Sequence, residues 1–158
     1  MTAADSEKSK AKAGKTARIG PTPCYCLKLR RINSAVTDYY NLHLAPSGIT
    51  ISQFSLLSKI EAARECSVRE LADAAELDRS TLARSLKPLL RQGLVADDKE
   101  PGRRNSRLRL GAAGLDTLAK ARPVWRKIQE NIRRKLGDDG LTALEELAGK
   151  VESLAGDR

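Results

Sequence analysis

Two short amphipathic segments, joined by about three residues, constrain the fold of this 158-residue chain more than any other feature. In SVRELADAAEL, Ser67 and Glu70 have the spacing of a capping box, in which each side chain satisfies a free amide at the start of a helix. In DRSTLARSLKPLLRQGLV, Asp78 can cap the first turn and Gly93 can end the helix. The pair predicts a helix-turn-helix.

The apolar side chains of both segments recur at spacings of three and four, which predicts one buried face on each helix. The expected core positions are Val68, Leu71, Ala75, Leu82, Leu86 and Leu89. Pro88 stands inside the second helix, where it lacks a backbone donor and its ring crowds the carbonyl of Arg84. We therefore expect a bend at Pro88 that divides this helix into a front half and a rear half.

The second helix is basic, with four cations and no acid from Arg79 to Arg91. Since Leu82 and Leu86 assign one side to the core, the other side carries hydroxyl groups at its start and longer cations further along. This order suits the major groove of DNA, because short groups let the backbone approach and long cations reach guanine edges or phosphates. We predict a base-edge contact for Arg84, with a solvated basic surface as the alternative. The predicted DNA-facing residues of this helix are Arg79, Ser80, Thr81, Arg84 and Lys87, the first and last of them for phosphates.

After Gly93 the periodicity changes to that of a strand, and RLRL at 107–110 alternates cations with leucines. The preceding EPGRRN contains turn-forming proline, glycine and asparagine. This stretch predicts a two-stranded hairpin with Arg103 and Arg104 at its tip, a position suited to a narrow minor groove. The predicted DNA-facing cations of the hairpin are Arg103, Arg104 and Arg107.

A short helix capped by Thr50 or Ser52 precedes this unit, and three longer amphipathic stretches lie outside it. Their apolar stripes are Tyr25, Leu29, Ile32, Val36 and Tyr39; Leu115, Leu118, Trp125, Ile128, Ile132 and Leu136; and, after a break at GDDG, Leu141, Leu144, Leu147, Val151 and Leu154. One small monomer leaves these stripes little to cover, so pairing with a second copy is expected. The predicted organisation is a disordered basic tail at 1–22, dimerisation helices at 23–46 and 112–155, and a DNA-binding lobe at 50–110. The predicted fold is mainly α with a small β-hairpin.

A formal net charge of +9 indicates a polyanionic partner, either double-stranded DNA or an anionic membrane surface. No apolar run approaches the length of a spanning helix, and the N-terminus lacks the hydrophobic region of a signal peptide. We therefore expect a cytoplasmic protein without a membrane partner. Two alternatives stay open: a sequence-tolerant architectural DNA-binding protein, and a membrane-surface protein that uses the basic amphipathic stretch 122–135.

The residue types present give little support to catalysis or metal binding. The chain has one histidine, and neither a glycine-rich phosphate loop nor a carboxylate pair is evident. The three cysteines form an odd count, and no close set of metal ligands surrounds His43. We therefore expect no enzymatic activity, no cofactor and no metal site.

A helix-turn-helix followed at once by a basic hairpin has the order of a winged helix. Together with LGAAGL, which opens the C-terminal helices, it makes residues 23–155 resemble the multiple antibiotic resistance regulator (MarR) family of bacterial transcription factors. The resemblance implies a nucleoid-associated homodimer, with the first and last two helices at the interface, and repression relieved by a small molecule or by cysteine oxidation. The family commonly has Asp-Arg-Arg in the wing and Leu-Thr before the next helix, whereas this chain has GRR at 102–104 and LG at 110–111.

Two kinds of switch follow from this resemblance. Cys24 and Cys26 lie near the start of the first helix, where a helix dipole favours a thiolate, and they are the redox candidates. Peroxide-sensing members also carry a Tyr-Pro-Gln-Tyr run, for which this chain has ISQF at 51–54. The other switch is a small organic effector, phenolic or an aromatic acid. Its candidate ligands on the first helix are Arg30, Arg31, Tyr39, Tyr40 and His43.

Overall fold

The computed structural model describes residues 24–98 and 107–156, which form five α-helices and one small antiparallel sheet. A single 3-10 turn, Ala45–Ser47, follows the first helix. The elements in chain order are α1 (Tyr25–Leu44), α2 (Ile51–Ala63), β1 (Cys66–Ser67), α3 (Val68–Ala75), α4 (Arg79–Arg91), β2 (Val95–Asp97), β3 (Arg107–Leu110) and α5 (Ala112–Gly156). The mainly helical architecture with a β-hairpin is confirmed, while the predicted tail at 1–22 lies outside the described residues.

Local capping determines where three of these helices begin. Thr50 and Gln53 form a capping box at α2, which decides between the two expected caps, and Ser67 and Glu70 form the predicted one at α3. In the second box the Ser67 amide donates to the Glu70 carboxylate over 2.7 Å, and the Glu70 amide donates to the Ser67 hydroxyl over 3.1 Å. Asp78 caps α4 as predicted, accepting from a backbone amide three residues on.

Helix α4 ends as its glycine predicts. Gly93 has a positive φ of 67°, and the Leu94 amide donates to the carbonyl of Leu89 over 3.0 Å. The helix continues through Pro88 without interruption. The bend expected at Pro88 remains a prediction.

The sheet has the strand order β1-β3-β2, with both pairs antiparallel. Strands β2 and β3 form the predicted hairpin, with Val95 opposite Leu110, and the RLRL alternation is confirmed, with exposed arginines and buried leucines. Strand β1 was not predicted, because its two residues carry no periodic signal. It pairs Cys66 with Leu108 and so joins the helix-turn-helix directly to the hairpin.

The core lies where α2, α3 and α4 meet the sheet and the first part of α5. Of the predicted core positions in α3 and α4, Val68 and Ala75 are only partly buried. The first stripe of α5 is also uneven, since Leu115 and Leu136 are about half exposed. The fully buried side chains, with at most 1% of their surface exposed, include Leu44, Leu57, Ile60, Leu71, Leu82, Leu89, Leu108, Leu118 and Ile128.

Helix α5 starts against the connection between α4 and β2. A Cβ atom at Gly114 would overlap the carbonyl oxygen of Leu94, so only glycine permits this close approach. Further along, Gly137 has φ 68° and ψ 173°, which interrupts α5 at the predicted GDDG break.

The outer helices leave large apolar side chains uncovered in the single chain. The exposed ones on α1 and on α5 beyond Gly137 include Tyr25, Leu29, Ile32, Val36, Leu144, Leu147, Val151 and Leu154. They belong to the predicted stripes of α1 and of the last segment of α5, of which Tyr39 and Leu141 are partly buried. Across the described residues, the helices are all too short or too polar to cross a membrane.

Candidate nucleic-acid interface

The first turn of α4 carries an exposed hydrogen-bond network centred on Asp78. Its carboxylate accepts from the Ser80 hydroxyl over 2.5 Å, from the Thr81 hydroxyl over 2.6 Å and from the Thr81 amide over 2.9 Å. These bonds, that from Ser80 foremost, hold the pKa of Asp78 well below its usual range. Because both hydroxyl protons point to Asp78, Ser80 and Thr81 can offer only acceptor lone pairs to an outside group. They are therefore suited to accept from base amino groups.

Arg84 folds back over this turn. Its Nε donates to the Ser80 carbonyl over 3.3 Å and its Nη2 to the Thr81 hydroxyl over 3.4 Å. Both bonds are long, so the guanidinium can exchange them for acceptors on DNA at little cost. The remaining predicted contacts of α4 are accessible: Arg79, Ser80, Arg84 and Lys87 are exposed and Thr81 is half-buried.

Acidic residues on neighbouring elements pair with the β3 arginines. Arg107 Nε lies 3.2 Å from a carboxylate oxygen of Glu65, which precedes β1. Arg109 forms a two-nitrogen contact with Asp98, and this bond raises the pKa of the Arg109 guanidinium. The Asp98 amide also donates to the Arg107 carbonyl, so Asp98 and Arg109 face each other diagonally across the hairpin. Sequence reasoning missed both pairs, although the hairpin register would have indicated the second.

These pairs bear on the predicted DNA contacts of the hairpin. The charge of Arg107 is balanced by Glu65, so a DNA phosphate would have to compete with that carboxylate. Arg103 and Arg104 lie outside the described residues. The base of the hairpin is thus held by ion pairs, and its predicted tip cations stay a prediction.

Tyr39 and Tyr40, two of the predicted effector ligands, anchor α1 against α5. The Tyr39 hydroxyl accepts from Asn131 over 3.3 Å and the Tyr40 hydroxyl accepts from Gln129 over 2.6 Å. Burial raises the pKa of Tyr40, and the bond from Gln129 offsets part of this rise. The His43 ring contacts the Tyr39 ring at an interplanar angle of 52°, with ring centroids 4.4 Å apart, and its Nδ1 donates to the Tyr39 carbonyl over 2.8 Å.

The proposed effector ligands on α1 do not line one common groove. A groove of about 740 Å³ lies between α1 and α5, and a second of about 600 Å³ follows α1 alone. Tyr39 lines the first groove and Arg31 the second, whereas Arg30 is simply exposed. The first groove is mainly apolar with cations at its edge, and its lining includes Val36, Tyr39, Asn131, Ile132, Arg134 and Lys135.

The cysteines occupy two different environments. Cys24 and Cys26 are exposed at the start of α1, whereas Cys66 is buried in β1. Burial, helped by the neighbouring charge of Glu70, raises the pKa of the Cys66 thiol and so disfavours its thiolate. Within the part of the chain that the structure describes, no three His, Cys, Asp or Glu side chains cluster in a way that could hold a metal ion.

Comparison with known proteins shows which family and which solved structures this chain resembles. Residues 47–104 match the model of the MarR family. The transcriptional regulator MosR of M. tuberculosis, solved in complex with DNA, is 32% identical over 86% of this chain and 99% of its own, with a TM-score of 0.74. The transcriptional repressor CouR bound to a 23-mer DNA duplex is 25% identical, with coverages of 82% and 92% and a TM-score of 0.71. The same repressor bound to p-coumaroyl-CoA is 24% identical, with coverages of 82% and 91% and a TM-score of 0.72. No curated protein matches the chain.

Proposed function

Because this chain belongs to the MarR family of transcriptional regulators, we propose that it is a homodimeric repressor that binds a palindromic operator and is released by a small effector. Residues 50–110 form the DNA-binding lobe of each subunit, and the helices at 23–46 and 112–155 form the dimer interface. A twofold axis then presents the two α4 helices to successive major grooves, about one helical turn apart.

The network on the first turn of α4 carries this proposal. Ser80 and Thr81 offer acceptors, and Arg84 offers a forked donor that is free to exchange its long bonds. Such a mixed set can distinguish base pairs in the major groove, because each pair shows a different order of donors and acceptors there. Arg79 and Lys87 flank the network as phosphate contacts, and Arg103 and Arg104 supply the minor-groove contact of the wing.

The experiment that tests this function is a selection of genome fragments with the purified protein at physiological salt. A specific dimer should enrich a palindrome whose half-sites lie about one helical turn apart. Recovery that is independent of sequence would instead support the architectural alternative, in which phosphate contacts dominate. Transcription from a reporter that carries the enriched site then distinguishes repression from activation.

For the effector, we propose an aromatic carboxylate or its thioester in the 740 Å³ groove between α1 and α5. Apolar side chains can cover the ring, and Arg134 and Lys135 can pair with the anionic group. The aromatic acyl ligand of CouR supports this chemistry. Titration with aromatic carboxylates and their CoA thioesters should release operator DNA from the native protein. The double substitution Arg134→Ala with Lys135→Ala should abolish that release, whereas Arg133→Ala should retain it.

A redox switch is the second candidate, since two exposed thiols lie two residues apart at the start of α1. Mild peroxide should then modify Cys24 or Cys26 and release DNA, while the double variant Cys24→Ser with Cys26→Ser should keep binding. Mass spectrometry in parallel with DNA titration decides the point. Complete loss of binding with all thiols unmodified would exclude cysteine as the switch.

A further inference from the structure

Besides the apolar packing of the core, helix α2 of the DNA-binding lobe contacts α5 through two side-chain pairs of different chemistry. Phe54 stacks on Trp125 with ring centroids 5.7 Å apart and an interplanar angle of 19°. Seven residues further along α2, Glu61 forms an ion pair with Arg122. The side chains of Glu61 and Arg122 are 37% and 38% exposed, so the ion pair is partly shielded from solvent.

The spacing of these contacts restrains rotation as well as distance. Phe54 and Glu61 are two helical turns apart, about 10 Å along α2. Their partners Trp125 and Arg122 are one turn apart on α5 and follow in the opposite order. Apolar packing in the core already joins α2 to α5, and the aromatic stack and the ion pair add two separated restraints on the angle between them.

The orientation of α2 decides that of α4. Helix α2 packs on α3 and α3 packs on α4, and the buried Leu71 and Leu82 belong to the core that these helices share, so we expect the lobe to move as one packed unit. A change of angle between α2 and α5 therefore displaces the exposed first turn of α4.

We infer that the Glu61–Arg122 ion pair positions the DNA-binding lobe on α5 and thereby sets the half-site separation that the dimer accepts. Glu61 and Arg122 are positioning residues, since neither belongs to the surface proposed to touch DNA. The aromatic stack supplies the pivot, and the ion pair supplies the second, directional restraint. This inference depends on the proposed operator binding.

The test uses the full chain and a series of operators in which the spacing of the enriched half-sites is changed by one or two base pairs. The native protein should prefer one spacing. Glu61→Gln and Arg122→Gln should each reduce this preference about fivefold, since a partly exposed pair makes a modest energetic contribution. The exchanged pair Glu61→Arg with Arg122→Glu should restore much of it.

Asp116→Asn is the matched control. Asp116 pairs with Lys120, and both residues lie on α5 close to Arg122. The substitution removes this ion pair and should leave the preferred half-site spacing unchanged. Fluorescence of Trp125, the one tryptophan of the chain, reports the lobe attachment without DNA and should shift in the Glu61 and Arg122 variants but not in the control.

The results distinguish failure of the positioning role from failure of the proposed operator binding. An unchanged spacing profile in both single variants, in a protein that still binds its operator, overturns the positioning role and leaves the proposed function standing. A native protein that shows no sequence preference in the fragment selection overturns the proposed function, and the positioning role with it.

Discussion

Among single residues, the capping group of α4 also orients the hydroxyl groups of the surface that we propose to face DNA. Asp78 satisfies the Thr81 amide and also takes the hydroxyl protons of Ser80 and Thr81. The same carboxylate thus starts the helix and leaves acceptors facing outward. A cap chosen for helix stability alone would need only the amide bond.

The depressed pKa of Asp78 has a consequence for acid stability. A carboxyl group whose pKa is lower in the folded than in the unfolded state adds stability above its unfolded pKa, about 3.9, and loses it as pH falls towards the folded value. Asp78→Asn keeps a capping oxygen but removes the charge. Its melting temperature should be below that of the native protein at pH 7, and the gap should narrow below about pH 4. A gap that does not vary with pH would show that the charge contributes nothing.

Arg84 is the residue on which sequence preference should depend most. Arg84→Ala should weaken operator binding by about 1–3 kcal/mol and relax the preference at one base pair of each half-site. Arg91→Ala, which removes an exposed cation from the far end of α4, is the control and should leave that preference intact. Competition titrations with singly substituted operators measure both effects. Uniform weakening across all operators, with a smaller salt slope, would reassign Arg84 to phosphate.

Among the elements, α4 and the hairpin each combine an exposed polar surface with a base that is packed into the core. Helix α4 is fixed by Leu82, Leu86 and Leu89, which are buried along the face of the helix that packs on the core. The hairpin is fixed by its buried leucines and by the Arg109–Asp98 pair. Rigid bases matter because groove contacts depend on positions within a fraction of an ångström.

Substitution of Pro88 tests whether this proline divides α4 into a front half and a rear half that differ in direction. Pro88→Ala returns an amide donor to the Arg84 carbonyl and removes the ring that crowds it, so the melting temperature should rise, with a gain of at most about 3 kcal/mol. If the proline bends the helix, the substitution should also weaken operator binding by changing the direction of the first turn. Gln92→Ala, just beyond the helix, controls for the substitution. Greater stability with unaltered affinity would show that the proline has no directing role.

At the scale of the whole molecule, α1 and the last segment of α5 are incomplete in a single chain. Leu144 and Leu147 remain 49% and 44% exposed, alongside the apolar stripe of α1. Each fully buried leucine contributes about 1.5–3 kcal/mol relative to an exposed one, so covering these stripes favours a second copy strongly. We therefore expect dimer formation to stabilise the protein as well as to bring together the two α4 helices of the proposed operator complex.

Charge placed on this seam should separate the subunits. Leu144→Glu with Leu147→Glu should shift the protein to a monomer in sedimentation velocity and reduce operator affinity by more than tenfold, because paired half-sites are then bound independently. Glu146→Gln lies on the opposite side of the helix and should leave the dimer intact. A double variant that stays dimeric would place the interface elsewhere.

Features that arise from side chains within a few residues of one another could be predicted from the sequence. The capping box at α3, the cap at Asp78, the glycine after α4, the break at Gly137 and most of the buried positions of α3 and α4 follow from side chains close in the chain, because hydrogen-bond satisfaction and helical periodicity act locally. The resemblance to a family followed from the order of these local features.

The contacts between distant elements could not be predicted from the sequence and were identified in the folded chain. Arg122 and Glu61 are 61 positions apart, and Gln129 and Tyr40 are 89 positions apart. From the sequence alone, many other surface acids and amides were equally plausible partners for Arg122 and Tyr40. The same holds for β1, whose two residues become a strand only because β3 lies beside them. Pairings of this kind depend on where the packed core brings distant side chains, since periodicity selects the face of an element but not the residue that it meets.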